Sequence, residues 1–147
     1  IFDSWVGALS PRDYRAAVQP HMRRLFASLP GGVPAIHFGT GTAGLLPFMA
    51  EAGGDVIGVD WRIDIDRARS TVGGRPVQGN LDPVLAAGPW DVAAAHARAV
   101  LEAAGGRPGH VFNLGHGVLP HTPVENLQRL VDLVHGWRRS VSTGNSW

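Results

Sequence analysis

Five short apolar runs punctuate this chain, and no two neighbours are joined by a hairpin dipeptide. They are IFDS at 1–4, PAIHF at 34–38, DVIGVD at 55–60, PVQGN at 76–80 and HVFNL at 110–114. Between them lie segments with helical periodicity. Strands separated by helices cannot pair through tight turns, so the runs must form a parallel sheet with crossover helices. The clearest helix signal is Ser10-Pro11-Arg12-Asp13: a capping hydroxyl, a proline preset for the first turn, and an acid in the positive first turn. Tyr14, Val18, Met22, Leu25, Phe26 and Leu29 then recur at three- and four-residue steps up to LPGGVP. The signal returns at Thr122-Pro123-Val124-Glu125, followed by Leu127, Leu130, Val131, Val134 and Trp137. Shorter helices are expected near 45–52, 64–72 and 91–104, and the tail STGNSW is expected to fray.

Two folds share this alternation, a doubly wound Rossmann-type sheet and a (β/α)8 barrel. The first has a motif in its favour. Gly39, Gly41 and Gly44 spell G-x-G-x-x-G after an apolar run, and Asp60 ends the next one, which is the pattern of a dinucleotide-binding turn. Against it stands the spread of polar residues. Every run ends in them: Asp3 and Ser4, His37, Asp60, Asn80 and Asp82, Asn113 and His116. A barrel brings all its strand ends to one mouth, whereas a dinucleotide fold concentrates its signals at the first turn and second strand. The even spread favours an α/β chain forming a partial TIM-like (β/α)8 barrel. At 147 residues, against the roughly 250 of a whole barrel, residues 1–147 are expected to be about the C-terminal half, a single incomplete domain. The absence of an initiator Met and an opening that reads as the end of a strand add to that expectation.

Composition removes several chemistries. All thirteen basic residues are Arg, scattered along the chain, and the net charge is +1, so nucleic acid is not an expected partner. Without Lys there is no Schiff-base nucleophile or P-loop lysine, and without Cys no disulfide, thiolate metal ligand or Cys nucleophile. No apolar run approaches the ~18 residues of a membrane span, and no signal-peptide pattern opens the chain. These features point to a soluble protein of a reducing compartment, the cytoplasm.

FDSWVGALSPRDY, IHFGTGTAGLLPFMAEAGGDVIGVDWR, VQGNLDP and GGRPGHVFNLGHGVLPHTPVENL together resemble, in order and separation, the C-terminal part of the uroporphyrinogen decarboxylase family. The resemblance runs from Phe2 to about Trp137. It implies a distorted (β/α)8 barrel that removes the carboxyl groups of four acetate side chains of uroporphyrinogen, giving coproporphyrinogen in haem biosynthesis, with no metal and no organic cofactor. It also implies a role for two residues. Ser4 in FDSW matches the family's substrate-binding hydroxyl, and His116 in NLGHGV matches the histidine lying against the tetrapyrrole. The family's catalytic Asp, its carboxylate-holding Arg residues and a Tyr match nothing here, so no catalytic residue is assigned and the chain alone is expected to be inactive. A second copy or a complementary N-terminal half is the expected protein partner, and a porphyrinogen the expected small molecule.

Each signal has a plainer reading. Gly39, Gly41, Gly115 and Gly117 are expected to shape the barrel mouth by permitting tight turns and close backbone approach, with a Rossmann-type nucleotide or S-adenosylmethionine site on the GTGTAG loop as the alternative. Asp60 reads first as a turn cap or a partner for Arg62. His37 reads as a core histidine, and Asp82-Pro83 as a helix start. His110, His116 and His121 match no helical metal motif. Related cobalamin- and thiol-dependent methyltransferases on the same barrel use zinc held by Cys, which this chain does not contain.

Overall fold

The computed structural model describes residues 1–137; the STGNSW tail lies outside the described residues. Five strands, β1 (Phe2–Asp3), β2 (Ile36–Gly39), β3 (Val56–Gly58), β4 (Val77–Leu81) and β5 (His110–Leu114), form one sheet in the order β1-β2-β3-β4-β5. All four pairings are parallel. A doubly wound sheet reverses its strand order at a switch point, which is where its nucleotide sits. No reversal occurs here, and right-handed crossovers that always step the same way put every helix on one side. The fold is therefore α/β with the winding of a barrel wall.

The helices follow from local signals. Ser10 Oγ accepts from the Asp13 N–H at 3.1 Å and starts α1 (Pro11–Asp13), which runs through a π turn (Tyr14–Val18) into α2 (Gln19–Ser28). The wide turn was not foreseen. Its cause is Pro20, which has no N–H and whose ring would strike the carbonyl one turn back in a regular helix. Helix α3 (Leu46–Ala52), α4 (Ile65–Thr71) and α6 (Trp90–Ala104) lie within a residue or so of the expected spans. Asp82 Oδ1 takes the Val84 N–H at 2.9 Å and opens α5 (Pro83–Ala87). The last helix, α7 (Val124–Gly136), departs from expectation at its start. Pro123 is the residue before the first turn, and the Thr122 hydroxyl, read as a cap, is buried with no partner. Within α7 Leu130 is buried as expected, but Val131 is 53% exposed because it lies outside the stripe facing the neighbouring helices.

The two faces of the sheet differ. On the helix side His37, Ile57, Val77 and His110 form one row across β2 to β5, and the first three are at most 1% exposed. Tyr14, Leu45, Leu46, Met49, Ile57, Val59, Ile65 and Val77 make the main core between sheet and helices. On the other face the row is Phe2, Phe38, Gly58, Gln78 and Val111, with Phe2 80% and Val111 47% exposed. That face is concave. Strands about 4.8 Å apart would hold β1 and β5 ~19 Å apart in a flat sheet. Yet Phe2 of β1 and Asn113 of β5 line one cavity, and the Phe38 ring centroid lies 6.3 Å from that of His116, just beyond β5.

Candidate active-site groove

A groove of about 420 Å³ opens on the concave face, lined by Phe2 and Ser4 from the first strand and its turn, Phe38 and Gln78 from the middle, and Asn113, Leu114, His116, Gly117 and Val118 at the far edge. Ser4 and His116, singled out from the sequence at opposite ends of the chain, thus share one cavity. Each sits just past the C-terminal end of its strand, where a barrel carries its chemistry. Both are exposed. Ser4 is fixed through its backbone, whose carbonyl accepts from the Thr40 hydroxyl, leaving its own hydroxyl to the groove. Phe38 forms the groove floor. Its ring meets Phe2 edge-on at 5.5 Å and lies over Gly58, where a Cβ would come within 2.9 Å of it.

The four glycines expected at the mouth divide in two. Gly41 and Gly117 are exposed, whereas Gly39 and Gly115 are buried packing positions. A Cβ at Gly39 would meet Thr42 and Val6 at 2.8 Å, and one at Gly115 would lie 2.7 Å from the Trp61 backbone nitrogen. Gly115 therefore seats the turn carrying His116 against the loop after β3.

The G-x-G-x-x-G loop is closed on its own protein. The Gly41 N–H, at the place where a dinucleotide turn would meet pyrophosphate, donates to Asp60 Oδ2 at 2.6 Å. Asp60 is 2% exposed and also accepts from the Arg62 backbone N–H at 3.1 Å and the Arg62 guanidinium at 2.5 Å. It is the turn cap and Arg62 partner anticipated from the sequence. Gly44, which in a dinucleotide fold permits close helix–strand packing, has nothing within 4 Å of where a Cβ would stand.

Other decorated strand ends are structural too. Asn80 Nδ2 donates to the Asp60 carbonyl at 2.9 Å and to that of Ile63, tying β4 to the preceding loop. Buried His37 packs on Phe26 at 4.8 Å and donates Nδ1–H to the Gly53 carbonyl at 3.3 Å; desolvation lowers its pKa, only partly offset by that bond. His110 is lowered by burial in the same way, opposed by its bond to the Gly79 carbonyl. Tyr14 is fully buried with an unpartnered hydroxyl, its pKa pushed up to about 12 by burial and by Asp3. Of the tryptophans, Trp61 and Trp90 each carry an arginine, Arg62 or Arg129, 4.2 Å above the ring, and Trp5 stands 86% exposed near the rim. Among the described residues no group of three or more His, Cys, Asp or Glu is placed to hold a metal, and no helix is long and apolar enough to cross a membrane.

Sequence reasoning named Ser4 and His116 but passed over Gln78, and took Asn113 only as strand-end decoration. The signal was present as parity: Gln78 and Asn113 fall on the concave-face positions of β4 and β5, where an apolar residue would otherwise be needed to fill a barrel.

Parallel strands wound one way, with polar groups gathered at their C-terminal ends on a concave face, define a portion of a (β/α)8-type enzyme barrel. In shape it is similar to a methyltransferase from Methanosarcina mazei, with a TM-score of 0.79 over 90% of this chain and 40% of that one; at 24% identity the likeness concerns the fold. The uroporphyrinogen decarboxylase (URO-D) family pattern matches residues 1–137. Proteins named uroporphyrinogen decarboxylase from Sorangium cellulosum and Thermus thermophilus are each 56% identical to it, over 98% and 91% of this chain. One from Streptomyces coelicolor is 55% identical over 92%. The chain belongs to the uroporphyrinogen decarboxylase family. It spans about two fifths of the length of those relatives, 42%, 40% and 39% respectively.

Proposed function

We propose that this chain forms one wall of a uroporphyrinogen decarboxylase, binding a porphyrinogen in the Ser4–His116 groove. The observation that carries this is the meeting of those two residues, one from each edge of the sheet, in a single cavity. The groove is chemically suited to a flat carboxylated macrocycle: the Phe2 and Phe38 rings supply an apolar surface, and Ser4 Oγ supplies a donor for a carboxylate. His116, on an exposed turn with its ring tilted toward Phe38, adds an imidazole that can pair with a carboxylate or pass a proton.

The chemistry needs little from the protein beyond placement and proton transfer. Protonation of an electron-rich pyrrole makes the ring an electron sink. The bond between the acetate methylene and its carboxylate breaks, carbon dioxide leaves, and the electron pair enters the ring. Proton delivery to the exocyclic methylene then leaves a methyl group, and loss of the first proton restores the pyrrole. The substrate itself does the work assigned elsewhere to an organic cofactor. Within this wall Ser4 and His116 bind and orient; the acid that gathers the pyrrole N–H groups belongs to the complementary part, supplied by a preceding segment or by a second chain. A soluble, cytoplasmic setting fits a chain without cysteine.

The test is complementation. The 147-residue chain, mixed with the N-terminal three fifths of the Thermus thermophilus relative, is expected to convert uroporphyrinogen to coproporphyrinogen. His116→Asn is expected to lower that turnover at least tenfold, without changing the amount of assembled complex. Full turnover with His116→Asn removes this residue from the site, and a well-assembled complex without turnover removes the proposed activity.

A further inference from the structure

Asn113 lies on β5 with its side chain in the groove that holds Ser4 and His116. Its amide has a settled orientation. Oδ1 accepts the N–H of Leu114 at 2.9 Å. In the parallel pairing of β4 and β5 the Gly115 N–H donates to the Leu81 carbonyl, so the Leu114 N–H points the opposite way, to the edge of β5 that the complementary part of the barrel would meet. In this chain that donor takes the oxygen of Asn113, because a carbonyl oxygen can accept there and an NH2 cannot. Nδ2, with two N–H donors and no acceptor capacity, has no partner among the described residues and can donate into the cavity. The groove lining contains no Asp, Glu, Lys or Arg. Recognition by this wall therefore runs through neutral groups and the single imidazole.

We propose that Asn113 is a substrate-reading residue, its Nδ2–H donating to a side-chain carboxylate of the macrocycle seated between Ser4 and His116. Gln78 stands on the same concave face, half-buried, its side-chain amide without a hydrogen-bond partner among the described residues, and extends the line of neutral polar groups toward the groove floor. A neutral donor suits this position. It recognises an anion through a directed bond without the cost of burying a fixed charge beside an apolar floor. It also distinguishes the carboxylate from a methyl group in its place, because loss of the anion leaves a donor unpaired. The inference rests on the porphyrinogen reading given above and adds to it a residue that senses how many carboxylates remain.

Asn113→Asp isolates the claim. The aspartate keeps an oxygen for the Leu114 N–H but replaces the donor facing the groove with an anionic acceptor. Binding of uroporphyrin and of coproporphyrin, stable oxidised analogues, is measured by tryptophan fluorescence quenching on the 147-residue chain, with thermal unfolding alongside. The expected result is at least a tenfold loss of uroporphyrin affinity in Asn113→Asp, a smaller loss for the less carboxylated coproporphyrin, and an unchanged melting temperature. Asn113→Ala, which removes the donor without adding charge, is expected to weaken uroporphyrin by about threefold to tenfold. If Asn113→Asp binds uroporphyrin as tightly as the unsubstituted chain while His116→Asn weakens it, the role of Asn113 is overturned and the porphyrinogen reading stands. If the unsubstituted chain binds neither porphyrin, whether alone or assembled with the N-terminal three fifths of the Thermus thermophilus relative, both fall together.

Discussion

Two glycine-bearing turns sit at the C-terminal ends of strands in this molecule, and they have opposite fates. The turn after β2 carries the stronger motif, G-x-G-x-x-G, yet its exposed Gly41 N–H is held by the Asp60 carboxylate at 2.6 Å. The turn after β5 carries only Gly115-His116-Gly117, yet it delivers an exposed imidazole to a groove. The difference lies in hydrogen-bond satisfaction. A donor already matched to a buried carboxylate gains little by turning to a ligand, whereas an exposed group lining an apolar hollow has bonding capacity to give. A motif states which groups the backbone can present; the partners those groups have decide whether any are left to act.

That contrast can be broken from either side. The largest effect should come from Asp60→Ala, which strips the acceptor from the Gly41 and Arg62 backbone N–H groups at a site 2% exposed. Leaving such donors unmatched predicts a loss of about 3 kcal/mol, seen as a lower denaturant midpoint. Next is Gly115→Ala, whose Cβ would stand 2.7 Å from the Trp61 nitrogen. Since backbone must move, about 2 kcal/mol should be lost, and the His116 turn displaced. The matched control is Gly44→Ala, with open space around it and no positive φ, expected to lie within about 0.5 kcal/mol of zero. A large penalty at Gly44 would mean that something packs on this loop as a dinucleotide fold requires.

A smaller, pH-dependent effect belongs to the two buried histidines on the helix side of the sheet. His37 and His110 have pKa values lowered below the ordinary 6.5 by burial, so the unfolded chain binds protons that the folded chain refuses. Their contribution is intact above 6.5 and is lost as pH falls from there toward the lower folded values. Stability should therefore be flat from pH 8 to 7 and should decline below 6.5. His37→Gln, which keeps a donor for the Gly53 carbonyl, should flatten that decline. An equal decline in this variant would place the lost protons elsewhere.

How far the sequence carried depends on whether each signal was local. The absence of hairpin turns dictated parallel pairing, and Ser10 and Asp82 both cap as their positions implied, since a cap depends only on neighbours. Thr122 failed the same test because the helix begins one residue later and its hydroxyl turns inward. The roles of Gly39 and Gly115 were hidden because they depend on Val6 and Trp61, distant in sequence. Buried Asn126 illustrates the same limit: its Nδ2 ties α7 to the Ala86 and Gly88 carbonyls, a contact no spacing rule announces. Ser4 and His116 came from a resemblance, and only curvature of the sheet places them in one groove.

Chemical-shift mapping of the backbone amides on adding uroporphyrin tests the central claim most directly. The account predicts movement at Ser4, Asn113, His116 and Gly117 with Gly41 to Gly44 unmoved, and no response of either turn to NAD or S-adenosylmethionine. Shifts centred on Gly41, Thr42 and Gly44 with a nucleotide, or a porphyrin that leaves Ser4 and His116 untouched, would contradict it.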